Sequence, residues 1–127
     1  PITVTTIDNK TYSLGSNSEY IYVVNFWFIG CAPCRKEIPQ LNELVASYSR
    51  RQKIKFIAIS VSDNEDALRL FKKRVRFDFQ FVAEGRDIAH RMGVDLFPTN
   101  LIIDQRGKIV FRHNGYSANI QNDIRSV

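Results

Sequence analysis

The sequence predicts an α/β domain in which a mixed central sheet carries helices on both faces. Continuous apolar runs at 20–28 and 54–61 are typical of strands that are covered on both sides. Each run is followed by a stretch whose apolar residues recur at helical spacing. A last hairpin and a last helical stretch then follow residue 99. Strands that alternate with helices and close with a hairpin and a helix favour this layered architecture.

The first elements are a hairpin, a strand and a helix. Residues 2–7 and 11–14 predict a hairpin around a short polar turn, and a linker leads from it to the strand at 20–28. The next helix follows Cys34 and extends to about residue 49. Pro39 lies inside this helix, and we expect a kink near Arg35 because proline removes one helical hydrogen bond.

The middle of the chain repeats the strand–helix pattern. After the strand at 54–61, Asp63 and Asn64 are residue types that begin helices well. A short strand is predicted at 79–82 and a short helix at 87–92. The apolar residues that define the intervening helix are Ala67, Leu68, Phe71 and Val75.

The end of the chain predicts a hairpin and a final helix. Strands at 100–104 and 108–112 flank a turn that contains Gly107. Ser117 is the predicted N-cap of the last helix, whose apolar residues include Ile120 and Ile124.

Length and charge limit the function classes. The 127 residues predict one domain, spanning 1–127, with a net charge of +5. Its basic stretches, at 50–55 and 69–76, are interpreted as solvated helix ends, and no nucleic-acid partner is predicted. The longest apolar run is about ten residues, too short for a membrane helix. Because the chain begins without Met, we expect it to be part of a longer protein, so a missing signal peptide does not fix its compartment.

Two cysteines, Cys31 and Cys34, are the only ones in the chain, and they stand between the first buried strand and its helix. They permit three interpretations. A structural disulfide of so small a loop stabilises a domain by only about 2 kcal/mol. A zinc or copper site needs further ligands, for which His90 and His113 are the remaining candidates. Reversible redox chemistry is favoured, because the N-terminus of a helix stabilises a thiolate.

Pro33, Glu37 and Pro98 are further candidate site residues, and for the last two the sequence permits two interpretations. Pro33 suits the first helical turn, where its missing N–H costs nothing. Glu37, one turn after Cys34, is either a surface acid that complements the helix dipole or a proton acceptor for Cys34. Pro98 is either an ordinary loop proline or a cis proline that brings the Phe97 backbone beside the sulfurs.

Taken together, the motifs resemble one family. The chain is similar to thioredoxin-fold proteins, and more narrowly to the TlpA/ResA family of bacterial thiol–disulfide oxidoreductases. Residues 63–82 resemble the helix and strand that this family inserts into the basic fold. The resemblance therefore implies a thioredoxin-like three-layer fold with an N-terminal hairpin and a central insertion. The matching segments are 25–27, 31–39, 97–99, 102–104 and 107–110.

The resemblance also implies roles for individual residues. It implies that Cys31 is an exposed nucleophile, that Cys34 is the resolving thiol, and that Glu37 tunes their ionisation. It implies a cis Pro98 that shapes the substrate-binding face. At Asn25 thioredoxin itself has a buried Asp, and at Gly30 the family commonly has Trp. The predicted substrate-binding residues are Trp27, Pro33, Phe97 and Pro98. For Trp27 the alternative interpretation, a core residue, is also strong.

The function that follows is disulfide exchange with protein substrates. The family usually works as a reductant outside the cytoplasmic membrane, in the periplasm or cell envelope, and its best-known task is cytochrome c maturation. The resemblance thus implies protein disulfide or thiol substrates and a membrane or periplasmic electron donor, with a membrane anchor upstream as the only membrane contact. No cofactor beyond the Cys31–Cys34 disulfide and no bound metal are predicted. The alternative is a copper or zinc carrier that uses the same cysteines.

Overall fold

The computed structural model describes residues 2–127, and within that range the chain forms seven strands and four helices. The strands are β1 (Ile2–Thr5), β2 (Thr11–Leu14), β3 (Ile21–Trp27), β4 (Ile54–Ser60), β5 (Gln80–Val82), β6 (Thr99–Ile103) and β7 (Ile109–Asn114). The helices are α1 (Ala32–Ser47), α2 (Glu65–Arg74), α3 (Arg86–Arg91) and α4 (Ile120–Arg125).

The central sheet has five strands in the order β5-β4-β3-β6-β7. β3 lies in the middle because its residues are apolar on both faces, and six of its seven residues are buried. It pairs in parallel with β4 and antiparallel with β6, so that Val24 lies opposite both Ile57 and Leu101. The predicted mixed sheet is therefore confirmed. β1 and β2 form a separate two-stranded antiparallel sheet.

Two apolar clusters cover the two faces of the central sheet. One cluster contains Leu41 of α1, Phe71 of α2 and Ile120 of α4. The other contains Ala89 of α3 and residues of the hairpin, including Leu14. Helices therefore lie on both faces of the sheet, as predicted, and the N-terminal hairpin shares a face with α3.

The helix starts agree with the sequence-based expectation at α2 and differ from it at α4. Pro39 lies inside α1, as the sequence predicts, and the helix extends from Ala32 to Ser47. Ser117 was the wrong choice of N-cap, because α4 begins after Asn119. The Ser117 hydroxyl instead donates to Asp123 at 2.6 Å and accepts the Asn119 N–H at 3.2 Å. At α2 the N-cap is Asn64, whose side chain accepts the N–H of Ala67 at 2.8 Å.

Candidate active site

The two cysteines are joined by a disulfide at the carboxyl end of β3. Cys31 is the N-cap residue of α1, and its sulfur accepts the backbone N–H of Cys34 at 3.2 Å. The two Cα atoms are 5.3 Å apart. The first sulfur thus lies where the free N–H groups and the positive end of the helix dipole favour negative charge. This is the arrangement in which a thiolate, the reactive form in disulfide exchange, is stabilised.

The exposure of Cys31 differs from the expectation. Its exposed fraction is 5%, against 2% for Cys34, so the predicted order holds but the predicted exposed nucleophile is wrong for the oxidised form. The reason is local, because the Cys31 sulfur is bonded to a buried partner and accepts a hydrogen bond from the helix end. The neighbouring residues Gly30, Ala32 and Pro33 are exposed, and they leave the surface around the disulfide open.

Glu37 is buried in a polar network rather than placed on the surface. Its exposed fraction is 1%, which makes the surface-acid alternative wrong. One carboxylate oxygen accepts from the side-chain amide of Asn100 at 2.9 Å, and the other accepts the backbone N–H of Ser117 at 2.9 Å. Asn100 in turn accepts a hydrogen bond from the amide of Asn25 at 2.9 Å.

Burial raises the pKa of the Glu37 carboxyl above its ordinary value, because the charged form loses its hydration. The hydrogen bonds from Ser117 and Asn100 and the charge of His113 act in the opposite direction, while Asp123 adds to the increase. A carboxyl whose pKa is moved towards neutrality is suited to exchange protons with a thiol nearby. Glu37 lies three residues after Cys34 on the same helix.

The loop before β6 lies beside the segment that precedes Cys31. The peptide bond between Phe97 and Pro98 is cis. The half-buried Phe97 ring meets Phe28 edge-on, with ring centroids 5.9 Å apart, whereas Pro98 is buried and its carbonyl accepts the N–H of Gly115 at 2.7 Å. The adjacent Leu96 side chain is 54% exposed. This loop therefore places the Phe97 ring against Phe28, three residues before Cys31.

Trp27 is a core residue. Its exposed fraction is 0%, so the prediction that it contacts substrate is wrong. Its ring packs against Phe71, Phe77 and Phe81, with centroid distances of 5.2–5.3 Å. The physical reason is that alternate side chains of β3 point towards α1, and at this position a large apolar ring fills the space between the sheet and α2.

Asp63 fixes the backbone segment that leads to Cys31, and the sequence interpretation missed this role. One oxygen of its carboxylate accepts the backbone N–H of Ile29 at 2.7 Å and the hydroxyl of Ser60 at 2.7 Å. The carboxylate thereby fixes the backbone two residues before the N-cap cysteine. The signal available in the sequence, a helix-capping residue type directly after a buried strand, predicts a cap and not this longer contact.

Asn25 and Asn100 carry a signal that the sequence interpretation left unused for function. Each is an amide within a mainly apolar strand, and buried polar groups require hydrogen-bond partners. The sequence does not reveal that the partner is Glu37, because that contact joins residues 63 positions apart. Ser117 could not be identified at all, since it contributes its backbone N–H.

The alternative function, a copper or zinc carrier, would require several metal ligands to lie close together. Within residues 2–127, no three His, Cys, Asp or Glu side chains form a group that could hold a metal ion. His90 is exposed on α3, and the Nδ1 atom of His113 lies 3.1 Å from the carbonyl oxygen of Gly115. None of the helices within the described residues has the length and apolar character needed to cross a bilayer.

The fold and the disulfide together define the class. The architecture is similar to that of a solved thioredoxin-like protein from Porphyromonas gingivalis, with a TM-score of 0.75 and 22% identity. It is also similar to a thiol-disulfide oxidoreductase from Bacteroides fragilis, with a TM-score of 0.79 and 17% identity. A secreted disulfide oxidoreductase from Mycobacterium tuberculosis gives a TM-score of 0.77 and 20% identity. Each of the last two comparisons covers 99% of this chain and 96% of the solved one. The protein therefore has the thioredoxin fold.

Sequence comparison then gives the family. Residues 1–112 match the model of the AhpC/TSA family, and the chain belongs to that family. The predicted TlpA/ResA-like relationship is also confirmed. The thiol-disulfide oxidoreductase ResA of Bacillus thuringiensis subsp. konkukian is 31% identical over 110 residues, covering 84% of this chain. That alignment spans 62% of the length of ResA.

Proposed function

We propose that this protein is a thiol–disulfide oxidoreductase that reduces disulfides in protein substrates outside the cytoplasm. The observation that supports this most strongly is the position of the Cys31 sulfur, which caps α1 and is bonded to Cys34. A small disulfide loop adds little stability, whereas a sulfur at a helix N-terminus gains reactivity. The ResA relatives, which are thiol-disulfide oxidoreductases by name, support the same activity.

The reaction transfers one electron pair from the dithiol to the substrate. The Cys31 thiolate attacks one sulfur of a substrate disulfide, and the other substrate sulfur leaves as a thiolate. The Cys34 thiolate then attacks the Cys31 sulfur of the mixed disulfide. The second substrate thiol is released, and the protein is left with the Cys31–Cys34 disulfide. The pair of cysteines carries the electrons, so the proposal needs no further cofactor.

Glu37 is the proposed proton acceptor for Cys34. The resolving thiol is 2% exposed, so water has little access to it when it must ionise. Glu37 is one helical turn away, and burial raises the pKa of its carboxyl towards the range in which it can take a thiol proton.

Substrate binding is assigned to the exposed and half-buried apolar surface around the disulfide. Pro33 is exposed in the first turn of α1, and Phe97 with Pro98 forms the neighbouring loop. The exposed Leu96 extends this surface. Gly30 adds no side chain in front of Cys31, so a bulky substrate segment can approach the sulfur.

An extracytoplasmic location is part of the proposal. The structural relative from M. tuberculosis is a secreted protein. A protein that reduces substrates there must be recharged, and a membrane or periplasmic thiol donor is the expected partner. Membrane contact through a segment outside the present chain is consistent with this scheme.

Trapping of the mixed disulfide tests the function. In a Cys34→Ser variant the second step is blocked, so incubation with a disulfide-containing model protein should accumulate a covalent complex through Cys31. Intact mass spectrometry under non-reducing conditions measures the complex. The Cys31→Ser variant is the matched control and should form at least about tenfold less complex, because only the Cys31 sulfur lies at the helix N-terminus, where a thiolate is stabilised. Equal trapping by both variants, or none by either, would contradict the proposed function.

A further inference from the structure

Two buried asparagines connect the central strands to Glu37. Asn25 of β3 and Asn100 of β6 lie directly opposite each other in the antiparallel pairing, and both are buried. The next pair along the two strands, Val24 and Leu101, is apolar. Burying two amides in the middle of a sheet costs free energy that an apolar pair would avoid, so these residues need a reason beyond packing.

The hydrogen bonds give the Asn100 amide one direction. Asn25 donates its Nδ2–H to the Oδ1 atom of Asn100 at 2.9 Å. The Nδ2 group of Asn100 therefore faces Glu37 and donates to its carboxylate at 2.9 Å. If the amide were reversed, its oxygen would meet the carboxylate oxygen and the two acceptors would repel. The donor on Asn25 and the acceptor on Glu37 thus favour the same orientation of the Asn100 amide.

We propose that Asn100 is a positioning residue that keeps Glu37 available as a proton acceptor for Cys34, and that Asn25 acts by orienting Asn100. The proposal rests on the proposed function, since it concerns the step in which Cys34 resolves the mixed disulfide. Neither asparagine touches the substrate in this scheme. Both act through the charge state and the orientation of the Glu37 carboxyl.

The other groups that face Glu37 set the background for this effect. His113 on β7 favours the carboxylate, and Asp123 on α4 disfavours it. The Ser117 N–H donates to the second oxygen, and Cys34 lies one turn away on the same helix. Without the Asn100 donor, fewer interactions would offset the effect of burial on the pKa of the Glu37 carboxyl. The carboxyl would then hold its proton to a higher pH.

The test is the rate at which Cys34 closes the disulfide. The reduced protein reacts with 5,5′-dithiobis(2-nitrobenzoate) at Cys31 and releases one thionitrobenzoate, and attack by Cys34 releases the second. Stopped-flow absorbance of the second release, measured across pH, isolates the resolving step. Asn100→Ala should slow it about five- to tenfold below the midpoint of the profile, with recovery at higher pH, as expected for one lost hydrogen bond. Glu37→Gln should slow it at least as much and flatten the profile.

The double variant separates a positioning role from a structural one. If Asn100 acts through Glu37, adding Asn100→Ala to Glu37→Gln should produce no further change in rate. Asn25→Ala should move the profile in the same direction by a smaller amount, and it provides the test if Asn100→Ala does not fold. Asn42→Ala is the matched control, because Asn42 on α1 also makes two hydrogen bonds but contacts Arg76 and Asp78.

The outcomes distinguish the two proposals. A profile that moves in Glu37→Gln but stays unchanged in both asparagine variants would overturn the positioning role and leave the proposed function intact. An unchanged profile in Glu37→Gln would overturn the positioning role together with the role assigned to Glu37. Equal slowing by Asn100→Ala with and without Glu37 would also overturn it, because the effect would then be structural.

Discussion

Cys34 and Glu37 stand three residues apart on one helix and are almost equally buried, yet their surroundings differ. Cys34 belongs to an apolar cluster with Trp27 and Leu41. Glu37 accepts hydrogen bonds from Asn100 and Ser117. A thiol is a weak hydrogen-bonding group and can be buried among apolar side chains at little cost. A carboxylate cannot, because each buried oxygen needs a donor.

This difference shows how one helical turn supports two kinds of chemistry. In the proposed mechanism, the apolar side keeps the Cys34 sulfur away from water, and the polar side holds the Glu37 carboxyl that would accept its proton. Neither side is sufficient alone, because a dehydrated thiol without an acceptor ionises poorly. Substitutions at Trp27 and at Glu37 test the apolar and the polar side of this helical turn separately.

Truncating Trp27 should have the largest effect. Trp27→Ala removes a ring packed against three phenylalanines, and large-to-small changes of this kind cost about 3–5 kcal/mol of unfolding free energy. Urea unfolding followed by circular dichroism measures the loss. Leu70→Ala is the control, since Leu70 is half exposed on α2 and its truncation should cost about 0.5 kcal/mol or less. A similar loss in both variants would show that packing around Trp27 contributes no more to the unfolding free energy than an exposed side chain does.

Neutralising Glu37 should have a smaller effect that depends on pH. Burial raises the pKa of Glu37, so between its ordinary value and the raised value the folded protein holds a proton that the unfolded chain has released. Stability then falls as pH rises through this window. Glu37→Gln, which resembles the protonated acid, should lose this dependence. The unfolding free energy of the variant minus that of the unchanged protein should therefore become more positive as pH rises.

Urea unfolding of both proteins at several pH values from about 4 upward measures this difference. Glu43→Gln, on the exposed surface of the same helix, is the matched control and should follow the unchanged protein at every pH. If the Glu37→Gln difference were constant with pH, or reversed its sign, the raised pKa of the buried carboxyl would be contradicted.

Much of the fold could be predicted from the sequence because its signals are local. The apolar runs of β3 and β4 and the helical spacing after Cys34 predicted the central layers, and the cysteine spacing predicted the site. The signals failed where a long-range contact decided the outcome. For Trp27 the sequence permitted both a core position and a substrate contact, and only the packing of α2 on β3 decided between them.

The polar side of the site shows the same limit more sharply. The sequence around Glu37 is compatible with a side chain that faces water and with one that faces the sheet. Only the three-dimensional structure could decide between the two alternatives. Asn25 and Asn100 are unusual residues in apolar strands, and their pairing across β3 and β6 became visible only with the register. Asp63 was recognised as a capping type, but its bond to Ile29 depends on the meeting of two loops.

Selective alkylation of the reduced protein tests the central claim most directly. Limiting iodoacetamide would be added to the reduced chain at a pH well below about 8.5, where an ordinary thiol is largely protonated. Peptide mapping by mass spectrometry then shows which sulfur carries the label. We expect the label on Cys31 in clear excess over Cys34, because only the sulfur at the N-terminus of α1 is held as a thiolate. Labelling of Cys34 first, or of both at one slow rate, would contradict the account.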